Sequence, residues 1–232
     1  MDLPIIQSLH IGKEASLANT GYYSAINKHE IKESQYVRKE GLILDSQADK
    51  KNHGGKDKAL HQYAFENYSY WKQKYPNQPL LSSPAAFGEN ISSLGMNEDM
   101  VCIGDVYRLG SCIIEVSQAR QPCWKLNFRF GIENMAVQVQ NSLKTGWYYR
   151  VIQEGKIKAG DIFELDARPH PEYSLTRILK VLYLEDINIP ELNQMIELKP
   201  LAESWKRILK KRIDTGIIEN WEKRLFYTHT NN

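Results

Sequence analysis

Cysteine is scarce in this sequence, with only three among 232 residues, Cys102, Cys112 and Cys123. An odd number of widely spread cysteines argues against a disulfide framework and indicates a reducing compartment. Residues 1–4, MDLP, are not a basic region followed by an apolar run, so the sequence predicts no signal peptide. We therefore expect a cytoplasmic protein.

Long apolar runs and a strong net charge are also missing. No run approaches the roughly 18 residues that a helix needs to span a bilayer, so we expect no membrane partner. A net charge of +2 at pH 7 is too small to indicate nucleic-acid binding. The content of 42% hydrophobic and 25% charged residues is ordinary for a soluble globular protein, and the chain can bury a sizeable core.

Strand-like patterns dominate the sequence as far as residue 168. Alternating apolar residues and aromatic or β-branched stretches predict short strands, including a hairpin that turns at Gly110. One stretch has helical spacing of its apolar residues instead, which predicts a helix over residues 59–75. The pattern indicates a mainly β domain that also contains helix.

Helical signals replace strand signals after residue 168. Ser174 is a good N-cap residue for a helix whose apolar positions follow, and Pro190 suits the first turn of a second helix. Gly216 separates a third helix from a short final segment. Five cations within residues 206–212 form the densest charge run, which predicts either a solvated helix face or a docking patch for an acidic partner or nucleic acid.

The stretch most suggestive of chemistry is SQARQPCWKLN, residues 117–127, which follows an apolar strand-like run. Pro122 lacks an N–H donor and disfavours helix before it, so Cys123 is expected on a fixed turn past a strand end. Arg120 and Lys125 flank this cysteine, and a positive setting favours the thiolate, which suits a nucleophile or a soft metal ligand. The alternative is a small buried apolar residue, the role expected of the other two cysteines.

Two further stretches carry candidate site residues. Residues 51–58, KNHGGKDK, contain adjacent glycines that allow either a backbone path closed to other residues or a close approach of a ligand. A solvated loop is the alternative there. Asn90, in the segment FGEN, is either a polar site residue or part of an Asx-type turn.

Together these segments resemble the MOSC family, named for the C-terminal domain of molybdenum-cofactor sulfurases. Lys56 and Ala119 depart from the family pattern, since proline is common after the paired glycines and before the arginine. The helical tail further resembles the three-helix appendage of the bacterial YiiM-type members. The matching segments are residues 53–55 with 57–60, 87–90, 104–106, 116–118 and 120–126.

The resemblance implies an α+β fold, in which a MOSC β-barrel-like domain at residues 1–168 precedes a small all-α, three-helix domain at residues 169–232. It also implies a molybdenum cofactor (molybdopterin). The YiiM-type members are associated with reducing N-hydroxylated bases and amidoximes, a detoxification activity, with electrons from a separate flavoprotein. We therefore expect a small N-hydroxylated substrate and a flavoprotein donor as partners.

The resemblance also assigns roles within the site. The family's cysteine ligand maps onto Cys123, which becomes the expected catalytic residue and metal ligand. The cofactor's phosphate calls for cations and N–H donors. The candidates for the phosphate are Lys58, Arg120 and Lys125, and the candidates for hydrogen bonds to the pterin are His53, Asp57 and Asn90.

Three functions remain open at this point. The first is a molybdenum-dependent oxidoreductase in which Cys123 holds the metal. The second is a non-catalytic carrier or transfer module for the cofactor or for sulfur, using the same thiol. The third is a Cys–His hydrolase in which His53 serves Cys123 as the base.

Overall fold

Short strands and helices alternate through the computed structural model, which describes residues 3–17, 20–47 and 54–227. The strands in these residues are β1 (Ile5–Gly12), β2 (Ala15–Ser16), β3 (Tyr23–Ser24), β4 (Lys28–Ile31), β5 (Gln35–Arg38), β6 (Gly41–Leu42), β7 (Leu60–Ala64), β8 (Ile91–Leu94), β9 (Val106–Leu109), β10 (Cys112–Ala119), β11 (Trp147–Gln153), β12 (Gly155–Ile157) and β13 (Glu164–Ala167). The α-helices are α1 (Asn67–Lys74), α2 (Lys125–Phe130), α3 (Met135–Ser142), α4 (Leu175–Tyr183), α5 (Ile189–Ile196), α6 (Glu203–Thr215) and α7 (Glu222–Leu225).

A curled mixed sheet of eight strands positions the rest of the molecule, in the order β13-β9-β10-β11-β7-β8-β1-β4. Its pairs are antiparallel except β7 with β8, which run parallel. The N–H of Ile6 donates to the carbonyl of Asp161 (2.9 Å), so the start of β1 meets the segment that leads into β13. The sheet therefore closes on itself as a half-barrel. A second sheet, β12-β5-β6, and a two-stranded ribbon, β2-β3, complete the β structure of the described residues.

The sequence-based expectation of one helix over residues 59–75 was wrong in its first half. Leu60–Ala64 is the strand β7, and the helix α1 begins only at Asn67. All five residues of β7 are buried, because the strand lies between β11 and β8. Two neighbouring strands satisfy its backbone, and this pairing outweighs the helical spacing of its apolar residues. The hairpin at Gly110 is confirmed, since β9 and β10 pair on either side of it.

The helical tail begins and ends where its sequence signals predict. The Ser174 hydroxyl accepts a hydrogen bond from the N–H of Arg177 (3.2 Å), Pro190 lies in the first turn of α5, and Gly216 ends α6 in a left-handed conformation. One hydrophobic core runs from Ile6 in β1 to Leu209 in α6. The α+β class is therefore confirmed. The boundary at residue 168 falls between β13 and α4 and stays a prediction.

Cys102 and Cys112 are buried, as predicted, and Cys112 belongs to this core. Cys102 is 3% exposed and Cys112 is 1% exposed. Burial raises the pKa of both thiols, that of Cys112 to about 12, so neither ionises near neutral pH. In the described ranges, no helix is long and apolar enough to cross a membrane.

Candidate functional site

A pocket of about 90 Å³ opens beside Cys123, where the end of β10 meets β7, β11 and the turn before β8. Sequence reasoning predicted five of the residues on its wall, Lys58, Asn90, Arg120, Cys123 and Lys125. It missed others on the same wall, among them Lys28, Asp45, His61, Gly88 and Tyr148. The candidate residues from three separate segments of the chain therefore lie around one cavity.

The turn that carries Cys123 is fixed at both ends. Strand β10 ends at Ala119, and the N–H of Arg120 donates to the carbonyl of Gly146 (2.9 Å). Beyond Pro122, the N–H of Leu126 donates to the carbonyl of Cys123 (3.0 Å) as α2 begins. The expected turn past a strand end is confirmed, and Cys123 lies on the pocket wall with 9% of its surface exposed.

Arg120 connects the cysteine turn to the loop before β8. Its side chain is buried, and Nη1 donates to the carbonyl of Phe87 (2.7 Å). Burial raises the pKa of the Tyr148 hydroxyl, and the charge of Arg120 opposes that rise. The guanidinium therefore contributes positive charge to the pocket and also holds its wall together.

Two lysines add charge at the same wall. Lys125 is buried, and its ammonium donates to the carbonyl of Tyr23 (3.5 Å). The ammonium of Lys58 lies 5.9 Å from the ring centroid of Tyr148, within cation–π range. The three cations predicted for the phosphate are thus on one wall with the thiol.

A buried ion pair completes the electrostatics of the pocket. Lys28 and Asp45 lie 2.5 Å apart, and each side chain is 7% exposed. Burial lowers the pKa of Lys28, and the neighbouring carboxylate opposes that shift. With this pair included, the described wall has four cations and one carboxylate, an excess of three positive charges. No local pattern predicts this pair, because Lys28 and Asp45 lie 17 residues apart in different segments.

Asn90 lines the pocket, and most of its amide is already bonded. Its Nδ2 donates to the carbonyl of His10 (3.2 Å) and to Asp45 (2.8 Å), while its Oδ1 accepts from the N–H of His61 (3.2 Å). An amide has two N–H donors and an oxygen with two lone pairs, so one acceptor position remains for a ligand. A contact of Asn90 with a pterin stays a prediction.

Asp57 is not among the described residues of the pocket wall. Its carboxylate pairs with Arg150 (2.7 Å), and its carbonyl accepts from the Ser117 hydroxyl (2.5 Å). Asp57 thus holds the paired-glycine loop against β10 and β11. Gly55 has φ +91° and ψ 169°, a combination open essentially only to glycine, so of the alternatives for the paired glycines the backbone path closed to other residues is seen at Gly55. His53, the other candidate of this loop, lies outside the described residues.

A fully buried carboxylate, Glu89, lies behind the pocket wall and holds the loop before β8. Glu89 accepts hydrogen bonds from the Tyr68 hydroxyl (2.6 Å) and from the N–H groups of Ala85 (2.9 Å) and Phe87 (3.1 Å). Gly88, in the same loop, has φ +76°, and a Cβ there would lie 2.7 Å from Ile26. Sequence reasoning marked this segment for Asn90 and missed the role of Glu89, which becomes visible only when its donors are brought together.

Comparison with known proteins gives two family matches. A family model for the MOSC domain matches residues 49–164, and one described as a YiiM-like, 3-alpha helix domain matches residues 174–216. All five predicted residues on the pocket wall fall within the first match, whereas Lys28 and Asp45 precede it.

Several relatives cover most of the chain. Protein YiiM of Escherichia coli is 37% identical over 206 residues, which are 89% of this chain and 92% of that protein. The uncharacterized protein YflK of Bacillus subtilis is 37% identical over 90% of this chain and 94% of its own length. A protein named Reductase from Gibberella moniliformis is 33% identical over 82% of this chain, which spans 34% of that longer protein.

Solved structures of similar proteins share the whole fold. The crystal structure of YiiM from Escherichia coli superposes with a TM-score of 0.81 at 30% identity, covering 96% of this chain and 99% of that one. YiiM from Geobacillus stearothermophilus gives a TM-score of 0.78 at 31% identity, covering 90% and 99%. The likeness therefore includes the helical tail as well as the sheet.

Proposed function

This chain belongs to the MOSC domain family, and from that premise we propose that it is an oxidoreductase that binds the molybdenum cofactor and reduces N-hydroxylated compounds. The observation that carries the proposal is the position of Cys123 on a pocket wall with an excess of three positive charges. The name of the fungal relative, Reductase, supports the reaction type.

The described residues fit this cofactor by the chemistry of their donors. Cys123 offers one soft thiolate, which suits a metal that arrives with other ligands already attached. Lys58, Arg120 and Lys125 offer charge to the phosphate of the pterin, and charge-assisted hydrogen bonds to phosphate are the strong ones. Gly88 lets its loop pack closely on Ile26 of the same wall, because a Cβ there would lie 2.7 Å from Ile26. Neither the charge nor the thiol conflicts with the group that the family implies.

Each wall residue then has a task in the proposed reaction. Cys123 would hold the metal, and the fixed turn around it would orient this thiolate toward the pocket. Lys28 and Asp45 form an ion pair, and Asp45 also accepts a hydrogen bond from Asn90, so these three side chains hold their part of the pocket wall in place. His61 adds a buried imidazole to the wall, with its ring centroid 4.9 Å from that of Tyr148.

The reaction itself is a two-electron reduction. When bound, the molybdenum cofactor supplies the electron pair that cleaves the N–O bond. The substrate takes up two electrons and two protons, the N–OH group becomes N–H, and the oxygen leaves as water. The buried wall around Cys123 limits access of bulk water to the reacting bond.

A carrier or transfer module is the second candidate, since it would use the same thiol. A thiol that hands sulfur to another protein must reach that protein, and Cys123 is only 9% exposed. Burial thus favours a held metal ligand. The Cys–His hydrolase depends on His53, which lies outside the described residues, and no geometry supports it.

Protein produced in a cofactor-competent host separates these functions. We expect molybdenum close to one atom per chain and conversion of an aromatic amidoxime to its amidine with a viologen reductant. Bound molybdenum with no amidoxime reduction would favour the carrier. Absence of molybdenum from freshly purified protein would contradict both cofactor-based functions.

The anion site gives a quantitative prediction. Replacing Lys58 with alanine removes a charge-assisted contact worth about 1.5–3 kcal/mol. We therefore expect the affinity for the cofactor to fall roughly tenfold or more. Lys56→Ala is the matched control, because Lys56 is exposed and is not among the described wall residues. Cofactor titration of the two purified variants checks the result. Equal affinities would remove Lys58 from the phosphate site.

The exposed cations of α6 offer a surface to an electron donor. The charge run of α6 is smaller than the sequence suggested, because Arg212 is buried and paired with Glu219 (2.8 Å). Arg207, Lys210 and Lys211 are exposed. We propose these three cations as the docking patch for an acidic flavoprotein.

Reversing the charge of this patch should slow electron delivery only. In the triple variant Arg207→Glu, Lys210→Glu, Lys211→Glu, we expect slower turnover with a flavoprotein donor, most visibly at low salt, since steering is screened within ~8 Å at physiological salt. Turnover with a viologen should stay unchanged. A fall in both rates would show that the patch is structural, and no fall in either would show a solvated helix face.

A further inference from the structure

Residues 224–227 lie directly against the turn that carries Cys123, although Arg224 and Pro122 are 102 residues apart in sequence. The N–H of Trp124 donates to the carbonyl of Arg224 (2.8 Å), and Nδ2 of Asn127 donates to the carbonyl of Leu225 (2.9 Å). Backbone from the end of the chain therefore binds residues on the C-terminal side of Cys123.

The side chain of Arg224 binds the other side of the same turn. One guanidinium nitrogen donates to the carbonyl of Pro122, and the other, Nη2, donates to Oε1 of Gln140 (2.6 Å). The guanidinium also lies 5.6 Å from the ring centroid of Tyr183 in α4. Pro122 and Trp124 flank Cys123, so Arg224 holds the residue on each side of the proposed metal ligand.

Tyr227 extends this contact to another part of the pocket. Its ring packs on Trp124 (centroids 5.0 Å apart) and on Tyr22 (6.0 Å), and its hydroxyl donates to the carbonyl of Thr20 (2.9 Å). The chain from Tyr22 continues into Ser24, on the pocket wall. Lys125 also bonds this segment, through the carbonyl of Tyr23.

We propose that Arg224 is a positioning residue for Cys123, and that residues 224–227, which we term the C-terminal strap, complete the site from outside the two family matches. The contacts of Arg224 exist without the cofactor. The inference rests on the proposed function only where it treats Cys123 as the metal ligand. Arg224 lies beyond both residues 49–164 and residues 174–216. The strap makes the helical tail part of the site.

The strap is tested on cofactor-free protein by alkylation with iodoacetamide, followed by peptide-resolved mass spectrometry. In Arg224→Gln, loss of the charge-assisted bond to Pro122 should loosen the turn, and we expect Cys123 to react roughly tenfold faster or more. Cys102 is the internal reference, since it is buried and bonds Pro171 away from the strap. Its rate should stay unchanged.

Two variants keep the test specific. Lys223→Gln is the matched control, because Lys223 is exposed and lies one residue away. Its Cys123 should react at the same rate as Cys123 in the protein without substitutions. Arg224→Lys keeps one charged donor and should restore part of the protection of Cys123. Equal rates at Cys123 in Arg224→Gln and the unmodified protein would overturn the proposal. Parallel increases at Cys102 and Cys123 would also overturn it, because they would show a general loss of stability.

Molybdenum content separates this inference from the proposed function. If unmodified protein binds molybdenum, Arg224→Gln should retain less of it than Lys223→Gln does. If unmodified protein binds none, the proposed function fails, yet the alkylation result still decides whether the strap positions Cys123.

Discussion

Replacing Cys123 with serine is expected to abolish molybdenum binding and amidoxime reduction while the protein stays folded. Cys123 is the one cysteine on the described pocket wall, and a serine hydroxyl is a hard, weakly acidic donor that does not replace a soft thiolate. Its side chain lies at the pocket rather than within the core, so the melting temperature should stay close to that of the unmodified protein. Elemental analysis and a thermal melt measure the two parts separately.

Cys102→Ser is the matched control for this substitution. The Cys102 sulfur lies 3.6 Å from the carbonyl of Pro171, and a serine hydroxyl can donate to the same oxygen. We expect this variant to keep its molybdenum and its activity. Full molybdenum occupancy in Cys123→Ser would remove Cys123 as an essential ligand, whatever the activity.

Replacing Glu89 with alanine is expected to cause the largest loss of stability of any single change at the site. The carboxylate is fully buried, and alanine would leave the N–H groups of Ala85 and Phe87 and the Tyr68 hydroxyl without this acceptor. Each buried donor left unsatisfied costs about 1–3 kcal/mol, so we expect the free energy of unfolding to fall by about 3–5 kcal/mol in total. For a chain of this length, that lowers the melting temperature by roughly 10 °C.

Two further variants show whether the loss of stability in Glu89→Ala comes from the loss of its carboxylate as a hydrogen-bond acceptor. Glu66 is exposed and accepts one backbone hydrogen bond, from Gly95 (2.5 Å), so Glu66→Ala should cost less than about 1 kcal/mol. Glu89→Gln keeps the volume but turns one acceptor into a donor that faces other donors, so it should also be strongly destabilised. A stable Glu89→Gln protein would show that volume, and not hydrogen bonding, is what the loop requires.

The parts of the fold that the sequence predicted are those with local physical causes. Ser174 caps a helix with its own hydroxyl, Pro190 starts one, and Gly110 and Gly216 take backbone conformations that favour glycine. Each of these residues determines the backbone conformation only within a few residues of its own position. Such signals survive in the folded chain because tertiary packing agrees with them.

The stretch that sequence reasoning placed wrongly depends on distant partners. Leu60–Ala64 has helical spacing of apolar residues, yet β8 and β11 flank it in the sheet. A strand buried on both faces has no alternation to distinguish it from a buried helix. Only the pairing, which is set by residues far along the chain, decides between them.

The same distinction separates the predicted and unpredicted parts of the site. Cys123, Arg120 and Lys125 lie within six residues of each other, so their shared position followed from one turn. The pair Lys28 and Asp45 joins segments 17 residues apart, and Arg224 meets Pro122 across 102 residues. Contacts of that separation have no local signal in a single sequence.

The structural roles of Asp57 and Asn90 show what the resemblance left open. Both residues belong to segments that match the family, and the side chain of each bonds other residues of the protein. Asn90 keeps one acceptor toward the pocket, whereas Asp57 faces Arg150. A family motif thus identifies the segments of a site without dividing their residues into those that bind a ligand and those that hold the wall.

The most direct test of the site is an anomalous diffraction experiment on crystals of protein produced in a cofactor-competent host, with data collected on both sides of the molybdenum absorption edge. We predict one molybdenum peak per chain within bonding distance of the Cys123 sulfur, with the phosphate of the pterin among Lys58, Arg120 and Lys125. A molybdenum peak away from Cys123, or no peak in crystals of protein that contains molybdenum in solution, would contradict the assignment of this pocket as the cofactor site.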